Sequence, residues 1–134
     1  GSGSPLPVNY LTASQVLFIH RRLISETGGA AGLLYLGLFE AAVARPQSTF
    51  DGADLYPDLC TKAAALMDSL VQSHPFVDGN KRVGITAAAL FLQRNGLRLT
   101  ATNDEVEMLA LAVAQGALTT QQIAAWFVQH TAES

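Results

Sequence analysis

The chain has 134 residues, 49% of them hydrophobic and 14% charged, a composition that favours one folded domain over a disordered chain. Its formal net charge of −3 argues against broad nucleic-acid binding, and no apolar run approaches the ~18 residues that a membrane span needs. The single cysteine, Cys60, cannot form an internal disulfide and no signal peptide is visible, so we expect a cytoplasmic protein with no direct nucleic-acid or membrane partner. Residues 1–4, Gly-Ser-Gly-Ser, resemble an expression-tag remnant, and we take residues 5–134 as the domain.

The first half of the chain has the pattern of two helices followed by an irregular segment. Thr12 or Ser14 can cap the first helix, which carries apolar residues at helical spacing. It ends at a glycine-rich segment, residues 28–32, which we call the glycine joint. The second helix ends near Pro46. Residues 46–57 break the helical pattern and contain an Asp-Gly pair, so we predict an exposed loop or a short two-stranded flap there.

Four further helices are predicted in the second half. Pro57 suits the first position of the third helix, whose core-facing residues recur at spacings of three and four and lead to His74. The fourth helix starts near Asn80, and its three consecutive alanines favour close packing and a central position. The last two helices are predicted from their capping residues: Thr102 or Asn103, and Thr119 with Gln122. The pattern therefore predicts an all-α, compact single domain of six helices around one core.

The stretch richest in chemical groups is the motif loop, residues 74–82, which reads His-Pro-Phe-Val-Asp-Gly-Asn-Lys-Arg. It lies at the predicted start of the fourth helix, where backbone N–H groups lack intrahelical partners and the helix dipole is positive. Such a helix end attracts phosphate. Gly79 permits a close backbone approach, and Lys81 and Arg82 add positive charge. The loop therefore predicts a phosphate-binding site.

Three other residues of the motif loop have separate predicted tasks. When ionised, Asp78 can accept hydrogen bonds but cannot donate them, and it is the natural ligand for Mg²⁺ beside a phosphate, although it could instead cap the helix. His74 carries an imidazole that can accept a proton from a hydroxyl that attacks the phosphate. Phe76, together with Val77, is expected to anchor the loop in the core. These residues would form a site for phosphate-transfer chemistry.

The motif loop resembles the signature of the Fic/Doc family, HxFx[D/N]GN[G/K]R, at all seven of its defined positions. Proteins of that family are compact helical domains that bind ATP and modify a hydroxyl on a target protein. The resemblance implies that His74 is the general base and Asp78 the Mg²⁺ ligand. It also implies that Gly79, Asn80, Lys81 and Arg82 hold the phosphates. The loop around Thr49 and Phe50 would be the flap that binds an extended target segment by strand-like pairing.

Two positions make the chain more similar to the Doc (death-on-curing) branch than to the nucleotidylating branch. Lys81 stands where the nucleotidylating branch has glycine, and Ile85 stands where it has a second arginine. The resemblance to Doc implies a toxin that transfers the γ-phosphate of ATP to a translation elongation factor and so blocks translation. We find no [S/T]xxxE[G/N] inhibitory string, so we expect a separate antitoxin with a segment that folds on an apolar groove.

The sequence leaves several alternatives open. The same fold could transfer AMP instead of phosphate, or it could be a catalytically inactive binding module. Phe50 could contact the target or plug the core. His20 and His130 are read as surface or helix-end residues, because no chemical neighbours support them. Trp126 and Phe127 are read as core, with an antitoxin groove as the alternative.

Overall fold

The protein, described here from a computed structural model over residues 7–134, is a bundle of six helices with two small two-stranded sheets. The predicted tag remnant at 1–4 lies outside the described residues. The all-α prediction and the two-stranded flap are confirmed. A 3-10 turn, Arg45–Gln47, leads into the flap, which comprises β1 and β2. The helices are α1 Ala13–Thr27, α2 Leu36–Ala44, α3 Leu59–Ser73, α4 Asn80–Arg94, α5 Asn103–Ala114 and α6 Thr120–Gln129, and the strands are β1 Thr49–Phe50, β2 Ala53–Asp54, β3 Leu97–Leu99 and β4 Thr131–Glu133.

Side-chain caps fix where four of the helices begin. Thr12, Thr102 and Thr119 each accept a hydrogen bond from the backbone of the third helical residue, in reciprocal capping boxes. The third helix begins two residues later than predicted, because Asp58 caps it by accepting from the backbone N–H of Thr61. Pro57 therefore precedes the cap and is not the first helical residue.

The central helix is α3, not α4 as predicted. It packs against α2, α4, α5 and α6, and between Cys60 and Val71 only Asp68 is not buried. Helices α3 and α4 each contain three consecutive alanines, but the alanines of α3 are fully buried between neighbouring elements. The most extensive contact of α3 is with α4, where a Cβ at Gly84 would lie 2.7 Å from Cγ2 of Val71. The central position of α3 fixes its C-terminal end, which carries the motif loop.

The second two-stranded sheet was not predicted from the sequence. Strands β3 and β4 pair antiparallel, with Arg98 opposite Ala132, and this pairing ties the described C-terminus to the segment after α4. Phe127 is fully buried in the core, as expected, whereas Trp126 is only half-buried against it. Among residues 7–134, no helix combines the length and apolar character needed to cross a membrane.

Candidate active site

His74 lies at the junction between α3 and the motif loop. Its backbone adopts the left-handed conformation, with φ 52° and ψ 52°, which ends the helix and turns the chain toward α4. The residue is exposed, although its spacing from the core residues of α3 predicted a position at the rim of the core. Its Nδ1 is 3.4 Å from the carbonyl oxygen of Val71, a long contact that leaves the ring accessible. The imidazole can therefore meet a ligand outside the helix.

Phe76 anchors the motif loop, as predicted, and it does so on a residue that sequence reasoning assigned to the surface. Its ring is 1% exposed and stacks on His20, with centroids 3.7 Å apart and planes 10° apart. Phe39 of α2 packs edge-on against the other side, at 5.3 Å. His20 is itself only 4% exposed, so reading it as a surface or helix-end residue was wrong. Its Nε2 lies 2.7 Å from the carbonyl oxygen of Asp78 and donates to it.

The prediction that Val77 also anchors the loop is wrong. The loop is extended here and forms an isolated antiparallel bridge between Phe76 and Leu33. Adjacent side chains of an extended chain point to opposite sides, so burial of Phe76 leaves Val77 45% exposed. The backbone N–H of Val77 donates to the carbonyl of Gly32 at 3.0 Å, and that of Leu34 donates to Pro75 at 2.7 Å. The motif loop is thus bound along its length to the glycine joint and the residues after it.

Asp78 does not cap α4, so that alternative is excluded. The helix has no side-chain cap, and the Asp78 carboxylate instead accepts a hydrogen bond from the backbone N–H of Ala30, at 2.9 Å. The residue is exposed, and a carboxylate with about four acceptor sites keeps capacity for a cation after one such bond. Among residues 7–134, no group of three or more acidic, histidine or cysteine side chains could hold a metal. A lone carboxylate suits Mg²⁺, which takes one or two carboxylates and fills its shell with water and substrate phosphates.

The N-terminus of α4 presents unpaired backbone donors next to these side chains. Gly79 precedes the helix at φ 84°, and the first intrahelical bond runs from Val83 N–H to the Gly79 carbonyl. The N–H groups of Asn80, Lys81 and Arg82 therefore point out of the helix end. The positive φ favours glycine at position 79, where a Cβ would also lie 3.3 Å from Cδ1 of Ile24.

The side chains of the first turn of α4 divide into one structural residue and two solvent-facing cations. The Asn80 amide is 4% exposed, accepts from the backbone N–H of Phe76 at 3.0 Å and donates to its carbonyl at 2.9 Å. This pair closes the motif loop, so of the polar groups of Asn80 only the backbone N–H is left at the open end of the helix. Lys81 and Arg82 are exposed. The motif loop thus combines a helix N-terminus, two cations, a carboxylate and an imidazole.

The flap is a tight hairpin with an exposed aromatic residue. Thr49 pairs with Asp54 and Phe50 with Ala53, and the turn between them has positive φ at both central residues, as an Asp-Gly turn allows. Phe50 is 76% exposed, so the core-plug alternative is excluded. Thr49 is exposed as well.

One buried and one half-buried cation that sequence reasoning missed hold the flap. Lys62 of α3 is 2% exposed and donates to Oδ2 of Asp54 at 3.2 Å. Burial disfavours its ammonium charge, but the hydroxyl of Tyr10 and the carboxylate of Asp54 outweigh this and raise the pKa of Lys62. Nε of Arg45 donates to the hydroxyl of Tyr56 at 2.8 Å, just beyond the flap. A lysine within an otherwise apolar helical stretch is the signal that could have identified Lys62.

A cavity of about 1000 Å³ lies far from His74. It is lined by residues that include Pro57, Cys60 and Arg94, at the opposite end of α3 from His74. A helix of 15 residues is roughly 21 Å long, so this cavity is not part of the site. Burial and the charge of Asp58 raise the pKa of the Cys60 thiol, which keeps it protonated and unreactive.

Comparison with known proteins identifies the family. The sequence pattern of the Fic/DOC family matches residues 10–92, more than half of the chain and including both the flap and the motif loop. The chain belongs to the Fic/DOC family. The family prediction made from the motif is therefore confirmed, and the helical fold agrees with it.

Two curated Fic/DOC relatives are similar over most of the chain. "Toxin Doc" of Mycolicibacterium smegmatis is 47% identical over 94 residues, which are 70% of this chain and 65% of that protein. "Protein kinase doc" of Escherichia phage P1 is 27% identical over 117 residues, or 87% of this chain and 91% of that protein. The matched part thus spans slightly less than two thirds of the Mycolicibacterium toxin and nearly all of the phage kinase.

Proposed function

We propose that this Fic/DOC protein is a Doc-like toxin of a toxin–antitoxin module. It transfers the γ-phosphate of ATP to a hydroxyl side chain of a target protein, a translation elongation factor, and so blocks translation in the cytoplasm. The observation that carries the proposal is the helix N-terminus of α4, with its outward N–H groups and two cations beside Asp78 and His74. The names of the two relatives, a toxin and a protein kinase, support the same function.

The arrangement accounts for each step of phosphoryl transfer. The backbone N–H groups at the start of α4, with Lys81 and Arg82, bind the phosphates, and Asp78 would hold Mg²⁺, which supplies charge neutralisation. His74 accepts the proton of the target hydroxyl while the new O–P bond forms. The bond between the γ-phosphorus and the bridging oxygen breaks, and ADP leaves with that oxygen. Positioning and charge neutralisation supply most of the catalysis in reactions of this kind.

The first two turns of α4 favour transfer of phosphate over transfer of AMP. Lys81 occupies space that a glycine would leave for phosphate, and its ammonium adds a point charge. Ile85 is 9% exposed and belongs to the core, so the next turn of the helix offers no guanidinium fork for the terminal phosphates. Both features support a nucleotide placement that presents the γ-phosphate to the hydroxyl.

Labelled ATP tests the proposal. The purified chain is incubated with a bacterial translation elongation factor and ATP labelled at either the α or the γ position, with His74→Ala as the control. We expect label on the factor from γ only, and none with the variant. Label from α would replace phosphate transfer with AMP transfer. Equal growth arrest by wild type and His74→Ala in cells would instead indicate a binding module without catalysis through the imidazole.

We propose that a separate antitoxin protein inhibits the toxin. The residues that follow the glycine joint expose a run of apolar side chains: Leu34, Tyr35 and Leu36 are each more than half exposed. They lie against the motif loop through the hydrogen bonds to Pro75. An antitoxin segment that folds on this surface would cover it and the site together. Co-expression of such a partner is expected to relieve growth arrest, and Tyr35→Ser to weaken the relief.

A further inference from the structure

A small cleft opens between α2, the flap and the C-terminal end of α3. It has a volume of about 260 Å³ and is lined by residues that include Leu38 and Ala41 of α2, Ser48 before the flap, and Ser69 and Ser73 of α3. Pockets for drug-sized ligands occupy roughly 300–1,000 Å³, so the cleft is suited to a single side chain and not to a nucleotide.

The position of the cleft ties it to the reaction centre and to the flap. Ser73 immediately precedes His74, the proposed base, and Ser48 immediately precedes strand β1. Strand β1 belongs to a sheet of only two strands, so one of its edges has no strand partner among the described residues. A target segment that paired with that edge would have side chains alternating between the two faces, and the end of the segment next to Ser48 would lie near the cleft.

The walls of the cleft specify an uncharged occupant. Leu38 and Ala41 supply aliphatic surface on the α2 side. The guanidinium of Arg45 also borders the cleft, but its charge is compensated by Asp68 at 3.1 Å, and it donates to Ser69 at 2.8 Å. A charged side chain would lose water there and find no opposite charge to replace it.

The walls are also held in place before any ligand binds. Besides Asp68 and Ser69, Arg45 donates to the hydroxyl of Thr120 in α6 at 3.2 Å. The backbone carbonyl of Ser48 accepts from Leu55 at 2.9 Å, which closes the base of the flap. A cleft with preset walls can select a side chain by shape because little ordering is lost on binding.

We propose that this cleft is the specificity subsite for one uncharged aliphatic side chain of the target protein, next to the hydroxyl that receives the phosphate. The inference rests on the proposed function, because it assigns a role to the target segment at the same centre. It makes Leu38 and Ala41 specificity-determining residues that contact the target but not ATP.

Filling the cleft tests the inference. Ala41 is exposed on α2, so Ala41→Leu should fold normally while its longer side chain enters the cleft. We expect it to lower kcat/KM for the elongation factor by at least about tenfold, the range for an apolar pocket contact, through a higher KM. The dissociation constant of ATP should not change. The matched control is Leu111→Ala, an exposed apolar residue on α5 that should leave both constants as in the wild type. Equal KM values for Ala41→Leu and wild type would overturn the subsite.

A binding measurement separates failure of the subsite from failure of the proposed function. If the wild type transfers no label to the factor, acetylated X-Thr-X tripeptides, with X as Leu or Asp, are titrated into methyl-labelled protein. Shifts of the Leu38 and Ala41 methyl signals with the Leu peptide, and not with the Asp peptide, would support the subsite although the kinase proposal had failed. Methyl signals that respond to neither peptide, or equally to both, would reject it.

Discussion

Replacing His20 with phenylalanine removes one hydrogen bond beneath the motif loop while keeping an aromatic ring in the stack on Phe76. The lost contact is the 2.7 Å bond from Nε2 to the carbonyl of Asp78. Such a bond contributes about 0.5–1.5 kcal/mol net, and a carbonyl left unsatisfied costs up to roughly 3 kcal/mol. Because this bond is part-buried and neutral, we expect about 1 kcal/mol of destabilisation. For a domain of this size that lowers Tm by roughly 3–5 °C.

The larger effect of His20→Phe is expected on phosphate transfer. The bond from His20 holds the backbone of the residue whose carboxylate would bind Mg²⁺, and a misplacement of about 1 Å can reduce a rate roughly 100-fold. We expect at least about a tenfold drop in kcat, with a small change in the KM for the target. His20→Gln, which keeps an N–H donor at a similar distance from the backbone, should recover most of the rate.

The matched control is His130→Phe. His130 also stacks on an aromatic ring, that of Trp126 at 4.1 Å, and also makes a side-chain hydrogen bond, to Glu105 at 3.2 Å. It lies at the end of α6, away from the motif loop. Loss of stability without loss of kcat is therefore expected. The same fall in kcat for both phenylalanine variants would show that His20 acts only through general stability, and our reasoning would be refuted.

Three further predictions concern the flap, the helix packing and the acid range. Lys62→Met should change the free energy of unfolding by less than about 1 kcal/mol, because its exposed partner Asp54 regains water. The same variant should speed hydrogen exchange of the flap amides, and unchanged exchange would show that Lys62 does not hold the flap. Gly84→Ala should lower the free energy of unfolding, measured in urea, by about 1–3 kcal/mol, because the new methyl group meets Val71 at 2.7 Å. The control is Gly37→Ala, which has open space around it and should leave that free energy unchanged or raise it slightly. Hydrogen bonds from Thr102 lower the pKa of Glu105. The stabilisation from its ionised form is therefore fully present above the unfolded-state pKa and is lost as pH falls through the folded-state pKa. Glu105→Gln should flatten the pH dependence of the urea unfolding midpoint between about pH 3 and 6.

The sequence predicted the parts of this molecule that depend on local chemistry. Capping residues located three helix starts, at Thr12 or Ser14, at Thr102 or Asn103 and at Thr119, and the structure selects the threonine in each case. An Asp-Gly pair located the flap. The third helix was misplaced because proline and the aspartate after it both suit a helix start. Only the hydrogen bond from Thr61 to Asp58 distinguishes them.

The parts that could not be predicted depend on contacts between distant segments. His20 lies at i+4 from Val16 and four residues before Ile24, both buried, so its place on the core face could have been inferred from spacing. Its partner in the motif loop is 58 residues away, and no local pattern specifies that contact. Likewise, two alanine runs made α3 and α4 equally good candidates for the centre, because composition does not record how many neighbours a helix has.

The backbone bond from Ala30 to Asp78 has a consequence for natural variation. The carboxylate proposed to bind the metal is oriented by a main-chain amide, and the side chain at position 30 faces solvent. Position 30 should therefore tolerate evolutionary substitution by almost any residue that has a backbone N–H. Proline alone deletes the donor, so a lineage that acquired it would be expected to need more magnesium for the same rate.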